Sequence, residues 1–436
     1  MKKSVLLVLL LLTPSILLSA GYDAVSATKA SGIIRPIIFV HGMSGSGDQF
    51  QAQALRFASN GYPDNYIVAL DHNSSSLFDM DRQNNLNRLI NHMLRETGAD
   101  KVELVGHSMG TAISMFYLWW RSHAAKVAHY INIDGFGNIR LPGGVPTLNI
   151  MATDLAWRTN GAKNVQLEEH THVQACSSPE TFAHMYEFIT GKAPATTDIL
   201  PAASDTIELE GKAVTFVTNK VPDFDLLSIY EVDPATGQRL KSSPVYSKPL
   251  ALDGSFKFSN AKQGSAYEFV SSRTGKEGRG HWFYEPFVRT DRLIRLKYSK
   301  PGSLAYNLLD TSDDSVSVII VRNREMLGHD AGGTGTDSIT VNGMEICDNL
   351  LPEDGTIGVM VFDKDTDGVS NLSSVTSLLS FVPFINGIDM HIPASQSGSD
   401  VVNVTIKDRY SGKTQTINIP NRPSSIHKSF VQFIPQ

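Results

Sequence analysis

The chain has 436 residues, of which 41% are hydrophobic and 19% charged, and its formal net charge is −6 at pH 7. That composition excludes a disordered or repetitive chain, and the length exceeds one ordinary core, so two or three domains are expected. Mild acidity without a long basic run excludes a nucleic-acid binder, because neutralising phosphates needs clustered Lys and Arg.

Lys2 and Lys3 followed by an apolar run from Ser4 read as the n-region and h-region of a secretory leader, with small residues up to Ala20 offering a cleavage site. Residues 1–20 are therefore expected to be a signal peptide, and the mature protein to be secreted or periplasmic. Pro14 interrupts the run, which argues against an uncleaved anchor. No later segment is apolar enough to span a bilayer. Cys176 and Cys347 fall in segments assigned to different domains. They read either as two separate buried thiols or as a pair formed in an oxidising compartment.

Residues 33–40 predict a strand that ends at His41-Gly42-Met43, and residues 66–70 predict a second. Leu86, Leu89, Ile90, Met93 and Leu94 then fall on one helix face that stops at Gly98. Residues 101–110 (KVELVGHSMG) run from an apolar strand into Gly106-x-Ser108-x-Gly110, and residues 111–120 predict a helix behind it. Strand, sharp turn and helix in that order form a nucleophile elbow, whose strained serine needs small flanking residues. Further strands are expected at 127–133, 147–151 and 165–167, and Ser178-Pro179-Glu180 starts a helix running to Gly191. The expected fold is an α/β hydrolase over 31–192, a mostly parallel sheet with helices on both faces.

A serine is a weak nucleophile and needs a base held by an acid, in the chain order Ser, Asp or Glu, His. His172, in the loop before the last helix, is the expected base, with His170 as a nearby surface or supporting residue. Two acids fit the spacing, Asp134 after the strand at 127–133 and Asp154 after the strand at 147–151. The amides of Met43, after the His-Gly pair, and Met109, after the nucleophile, are the expected oxyanion donors.

Residues 106–110, the segment 125–135 and the segment 171–182 resemble the corresponding blocks of the Archaeoglobus long-chain lipase family. That resemblance implies an α/β hydrolase joined to C-terminal β domains that help bind lipid, and it places the acid at Asp134. Residues 161–166 resemble instead the segment before the histidine of the small lidless Bacillus lipase, which would select Asp154. Asp134 is the preferred acid and Asp154 the alternative. Residues 48–100 leave no room for the long inserted lid of the archaeal relatives, so soluble or short-chain esters enter as candidate substrates.

After Gly191 the composition shifts to a Pro- and Ala-rich linker at 193–205. Short alternating strands with turn signals then predict two β-sandwich domains, at 206–300 and 311–436. Two stretches could meet lipid: residues 281–287 (HWFYEPF) and residues 378–385 (LLSFVPFI), although buried strand is the default for each. Asp363, Asp365 and Asp367 begin like a calcium loop, but Ser374 stands where the bidentate Glu would be, so a plain acidic turn is expected and no metal.

The sequence thus predicts a secreted serine carboxylic-ester hydrolase, a lipase or esterase working without cofactor through Ser108, His172 and Asp134. Its partners would be a small-molecule or lipid ester and a transient lipid surface at the β domains, with no nucleic acid. Two rivals are a non-catalytic lipid- or glycan-binding surface protein, and a polyester hydrolase or acyltransferase using the same triad.

Overall fold

The computed structural model describes residues 34–75, 81–224, 226–272, 279–299, 309–328, 335–349, 355–375, 384–395 and 397–436. The expected leader and most of the apolar stretch 378–385 lie outside the described residues. Residues 33–436 form one compact unit. Among the described residues no helix is long and apolar enough to cross a membrane.

The N-terminal half is a six-stranded sheet. Its strands are β1 (Ile37–Val40), β2 (Ile67–Leu70), β3 (Val102–His107), β4 (Val127–Ile133), β5 (Thr147–Met151) and β6 (Lys163–Gln166). They lie in the order β2-β1-β3-β4-β5-β6, with every pair parallel. Parallel strands need crossovers, and the helices that make them cover both faces. These are α1 (Gln51–Ser59), α2 (Asp81–Thr97), α3 (Met109–Leu118), α4 (Arg121–Ala124), α5 (Gln174–Ser177) and α6 (Pro179–Thr190).

The period-2 alternation of a strand divides β1 between the two resulting cores. Ile37 and Phe39 pack with Phe57 of α1 and Phe182 of α6, while Ile38 and Val40 pack with Ile90 of α2 and Tyr117 of α3. Helix α6 begins as expected: the Ser178 hydroxyl accepts from the Thr181 amide at 3.1 Å, Pro179 opens the first turn, and Gly191 closes it at φ 73°. The linker is not free. The amides of Ala195 and Thr196 donate to Asn60 Oδ1, and the Thr197 carbonyl accepts from Arg56 on α1.

The C-terminal half is strand-rich throughout. It comprises β7 (Thr206–Thr215), β8 (Leu226–Val232), β9 (Tyr246–Pro249), β10 (Ser255–Lys262), β11 (Ala266–Ser272), β12 (Arg279–Tyr284), β13 (Asp291–Tyr298) and β14 (Val318–Met326). There follow β15 (Ser338–Val341), β16 (Met344–Glu345), β17 (Thr356–Phe362), β18 (Asn371–Val375), β19 (Ile385–Asp389), β20 (Val401–Lys407), β21 (Thr414–Pro420) and β22 (His427–Phe433).

These strands stack as β layers around a nine-stranded sheet, β18-β19-β17-β14-β22-β12-β11-β8-β9. A three-stranded sheet, β10-β7-β13, and a four-stranded sheet, β16-β15-β20-β21, complete the half. Trp282, Tyr284 and Phe430 join the core shared with the three-stranded sheet, whereas Phe283, Val431 and Phe433 join the core shared with the four-stranded one. Neighbours along β12 and β22 therefore serve opposite faces of the same sheet. The two β segments expected at 206–300 and 311–436 share this sheet, because β22 lies between β12 and β14, and each lends a residue to the other's core, Phe430 to the first and Phe283 to the second.

The halves meet along β13. Its even-numbered Ile294 and Leu296 enter the β core, while Leu293 enters the core of the parallel-sheet half. On the same side as Leu293, Arg295 pairs with Asp71 at 2.9 Å and Lys297 with Asp48 at 2.8 Å. Burial alone would raise the Asp71 carboxyl, but the Arg295 guanidinium holds it down at about 2.

Residues 281–284 form most of β12 and are buried, as is Phe287. Asp363 is buried, accepting from the Gly368 amide and paired with the His391 imidazole. Cys176 and Cys347 are both buried and unbridged.

Candidate active site

Strand β3 ends at His107 and helix α3 begins at Met109, so Ser108 alone makes the turn, at φ 53° and ψ −122°. A non-glycine residue at positive φ costs about 1–3 kcal/mol and persists only where its surroundings hold it. The Ser108 amide donates to the Ile133 carbonyl at 3.1 Å, and its own carbonyl accepts from the amide and hydroxyl of Thr111. The flanking glycines are required by close approach. A Cβ on Gly110 would stand 2.0 Å from the Val40 carbonyl oxygen, and one on Gly106 would stand 2.7 Å from that of Gly110.

The His41-Gly42 turn lies over this elbow: a Cβ on Gly42 would come within 2.9 Å of Ser108 Cβ and 3.1 Å of His107 Nδ1. The Gly42 amide is already spent, donating to Gln49 Oε1 at 3.0 Å, which leaves Met43 as the next amide of the turn. Met109 is the first residue of α3, so its N–H is one of those at a helix start that have no intrahelical acceptor. Each amide sits on a backbone segment that borders Ser108.

His172 and Asp134 come together directly, with His172 Nδ1 donating to Asp134 Oδ2 at 2.7 Å. That bond fixes the proton on Nδ1 and leaves Nε2 as the imidazole's acceptor. Asp134 is buried and adopts φ 43°, which turns its carboxylate inward at the end of β4. Its Oδ1 accepts from the amides of Ala152 (2.7 Å) and Thr153 (2.9 Å), and Oδ2 also accepts from the Thr153 hydroxyl (2.7 Å). Burial opposes ionisation, but these hydrogen bonds prevail and the carboxyl is held below its ordinary value.

The end of β5 thus provides three donors to the Asp134 carboxylate. Asp154, the alternative, is exposed and outside the cluster. His170 is also set apart, with its ring near Tyr410 and Nε2 facing Glu180 at 3.4 Å.

His107 links the two sides of the site. Its ring lies 4.7 Å from that of His172, and Nε2 meets the His172 carbonyl at 2.9 Å. Burial, aided by the neighbouring His172, pushes it down to about 3, so it is neutral at ordinary pH and donates through Nε2. No hydrogen bond joins Ser108 Oγ to His172 among the described residues. Bonds of that kind commonly close only in the substrate complex.

Several supporting residues escaped the sequence reading. His107 stood inside the motif, and Gln49 and Thr153 flanked recognised turns, but Asn219 had no local signal. It lies in the β half at φ 51° and reaches the turn at 41–45, donating from Nδ2 to Gly45 O (2.9 Å) and His72 O (2.8 Å) and lying 3.3 Å from His41 Nε2. The His41 and His72 rings stack at 3.9 Å, and burial, with His72 second, keeps His41 well below its ordinary value and neutral.

Residues 34–121 match the family model of class 2 lipases, residues 205–301 that of a lipase C-terminal domain, and residues 305–434 a further C-terminal-domain model. Together these models match, in chain order, a class 2 lipase domain followed by two C-terminal domains. Among solved structures, the chain is similar to a predicted CIB-like hydrolase of Thermoplasma acidophilum, at 17% identity over 36% of this chain and 87% of that one, with a TM-score of 0.27. It is also similar to lipase B of Aspergillus fumigatus, at 16% identity over 37% of this chain and 54% of that one, with a TM-score of 0.29. A thermophilic esterase of Thermogutta terrifontis aligns at 14% identity over 36% of this chain and 90% of that one, with a TM-score of 0.28. At such scores these likenesses carry no weight beside the strand order and pairing.

Proposed function

We propose that this lipase-type hydrolase cleaves carboxylic esters through an acyl-enzyme, with Ser108 as nucleophile, His172 as general base and acid, and Asp134 as the residue that orients the imidazole. The observation that carries the reading is the 2.7 Å bond between His172 Nδ1 and a buried, multiply bonded Asp134, beside a serine held at φ 53° between strand and helix.

His172 Nε2 takes the Ser108 proton as Oγ attacks the ester carbonyl. The imidazolium that forms is stabilised by the ionised Asp134, whose depressed pKa keeps it charged throughout. The Met43 and Met109 amides receive the oxyanion, the electrostatic contribution that is commonly largest in acyl transfer. The imidazolium then protonates the leaving alcohol, and water activated by the same base clears the acyl-enzyme.

An apolar acyl group is supported by the side chains exposed on this half of the molecule. Phe116 and Trp119 project at the end of α3, Phe136 and Ile139 from the loop after Asp134, and Leu155 and Trp157 from the loop after β5. Phe136 and Trp157 lie in ring contact at 4.9 Å. The Phe136–Trp157 pair, exposed beside the loop that carries Asp134, offers an apolar surface to such a group.

The test is hydrolysis of p-nitrophenyl butyrate together with labelling by a fluorophosphonate. Ser108→Ala should abolish both while leaving circular dichroism unchanged. Turnover at the wild-type rate in that variant would end the reading.

A further inference from the structure

We propose that Glu325, on strand β14 of the β half, is a positioning residue for His172 and makes that half a working part of the hydrolytic site. The inference rests on the ester-hydrolase reading above. Glu325 is 2% exposed, yet its carboxylate is spent on three groups of the histidine loop. Oε2 accepts from the Thr171 hydroxyl at 2.6 Å and the Gln174 amide at 2.8 Å, and Oε1 accepts from the Val173 amide at 2.5 Å. These donors bracket His172 on both sides. Two of them are main-chain N–H groups at the start of α5, where a helix leaves its amides without partners.

Neighbouring contacts from the β half reinforce the clamp. Arg409 Nη2 donates to Gln174 Oε1 at 3.1 Å, and the Tyr410 hydroxyl donates to the Glu169 carbonyl at 2.5 Å. The loop also holds itself: the His172 carbonyl meets His107, the Ala175 amide donates to Thr171 O, and the Thr171 amide and hydroxyl face Gln174 Oε1 at the longer distances of 3.4 and 3.3 Å. The imidazole must hold Nδ1 within hydrogen-bond reach of Asp134 while presenting Nε2 to Ser108. A short loop carries both demands, so a carboxylate that fixes three of its residues fixes the ring. Charge-assisted bonds to buried amides are roughly twice as strong as neutral ones, which suits a carboxylate to this task. No ligand is needed to account for the charge of Glu325, since its bonds with the loop occupy both oxygens.

The experiment uses the full chain with Glu325→Ala and Glu325→Gln, both checked by circular dichroism at the assay temperature. Steady-state hydrolysis of soluble p-nitrophenyl butyrate is measured beside the downfield imidazole N–H proton resonance of His172, assigned by its loss in His172→Ala. Glu325→Ala should lower kcat roughly ten- to a hundredfold, the scale of a displacement of about 1 Å at a reacting group. KM should stay within about twofold, because ground-state binding is untouched. The N–H resonance should broaden or vanish. Glu325→Gln keeps one acceptor oxygen, so its kcat and resonance should fall between those of Ala and wild type.

A folded Glu325→Ala with wild-type kcat and an unchanged resonance would overturn the proposal, as would a fall in kcat with the resonance intact. Should Ala fail to fold, a folded Glu325→Gln with wild-type kcat and resonance would overturn it, by reducing Glu325 to a folding role. If the wild-type chain hydrolyses no ester, the functional reading fails, and the resonance alone still decides whether Glu325 holds the His172–Asp134 pair.

Discussion

The two halves of the molecule dispose of their Phe and Trp side chains differently. In the hydrolase half one sheet is covered by helices on both faces, and a surplus remains outside: Phe116, Trp119, Trp120, Phe136 and Trp157 are all exposed. In the β half the central sheet consumes large aromatics on both faces, and among the described residues no Phe or Trp is exposed there. The difference fits the proposal that an apolar substrate meets the parallel-sheet half. What the β half presents to the site is polar, namely Asn219 to the oxyanion turn and Glu325 to the histidine loop.

That division can be broken or sharpened at several points. The largest effect should come from Asp134→Asn, which keeps the shape but loses the charge facing His172. We expect a fall in kcat on the order of 10³-fold or more, with Asp154→Asn indistinguishable from wild type in the same p-nitrophenyl ester assay. Next is Asn219→Ala, which frees the turn carrying Met43 from its tie to the β half. It should cost about tenfold in kcat with little change in KM, less than outright loss of an oxyanion donor.

The double variant Trp119→Ser, Trp157→Ser should cut activity on emulsified triglyceride severalfold while sparing the soluble ester. Equal losses on both substrates would remove the distinction between the halves.

The smallest effect concerns stability. Burial raises the Glu285 carboxyl from 4.5 to about 7, against the opposing bond from Gln415. Its folded pKa lies above its unfolded one, so the folded state binds more protons between those values. Stability therefore falls as pH rises from 4.5 to about 7. Glu285→Gln should remove that loss, gaining on the order of 3 kcal/mol at pH 8 and nothing at pH 4, as read by urea denaturation.

The elements around Ser108 and His172 were legible because their signals are local. Glycine spacing marks a strained elbow, and Ser178-Pro179 followed by Gly191 marks both ends of α6. Asp134 and Asp154 could not be separated by spacing, since both follow parallel strands. The backbone at 134 turns inward at φ 43°, and β5 responds with two amides and a hydroxyl, a reciprocity that no linear pattern displays. Asn219 and Glu325 were invisible because their partners lie far along the chain. The shared nine-stranded sheet was missed for a related reason: Phe430 and Val431 belong to different cores, so β22 has no single apolar face to betray its place.

The position of β22 bears on how the molecule is assembled. It fills the gap between β12 and β14, so His427 must find Arg279 and Ser429 must find Val318 across long intervening stretches. Contacts so remote form late and slowly. Until this strand arrives, β12 and β14 offer open ladder edges of the kind that recruit other chains. Newly made protein is thus most exposed to aggregation just before its last strand is inserted, and the clamp on the histidine loop, carried by neighbouring β14, would tighten only after that insertion.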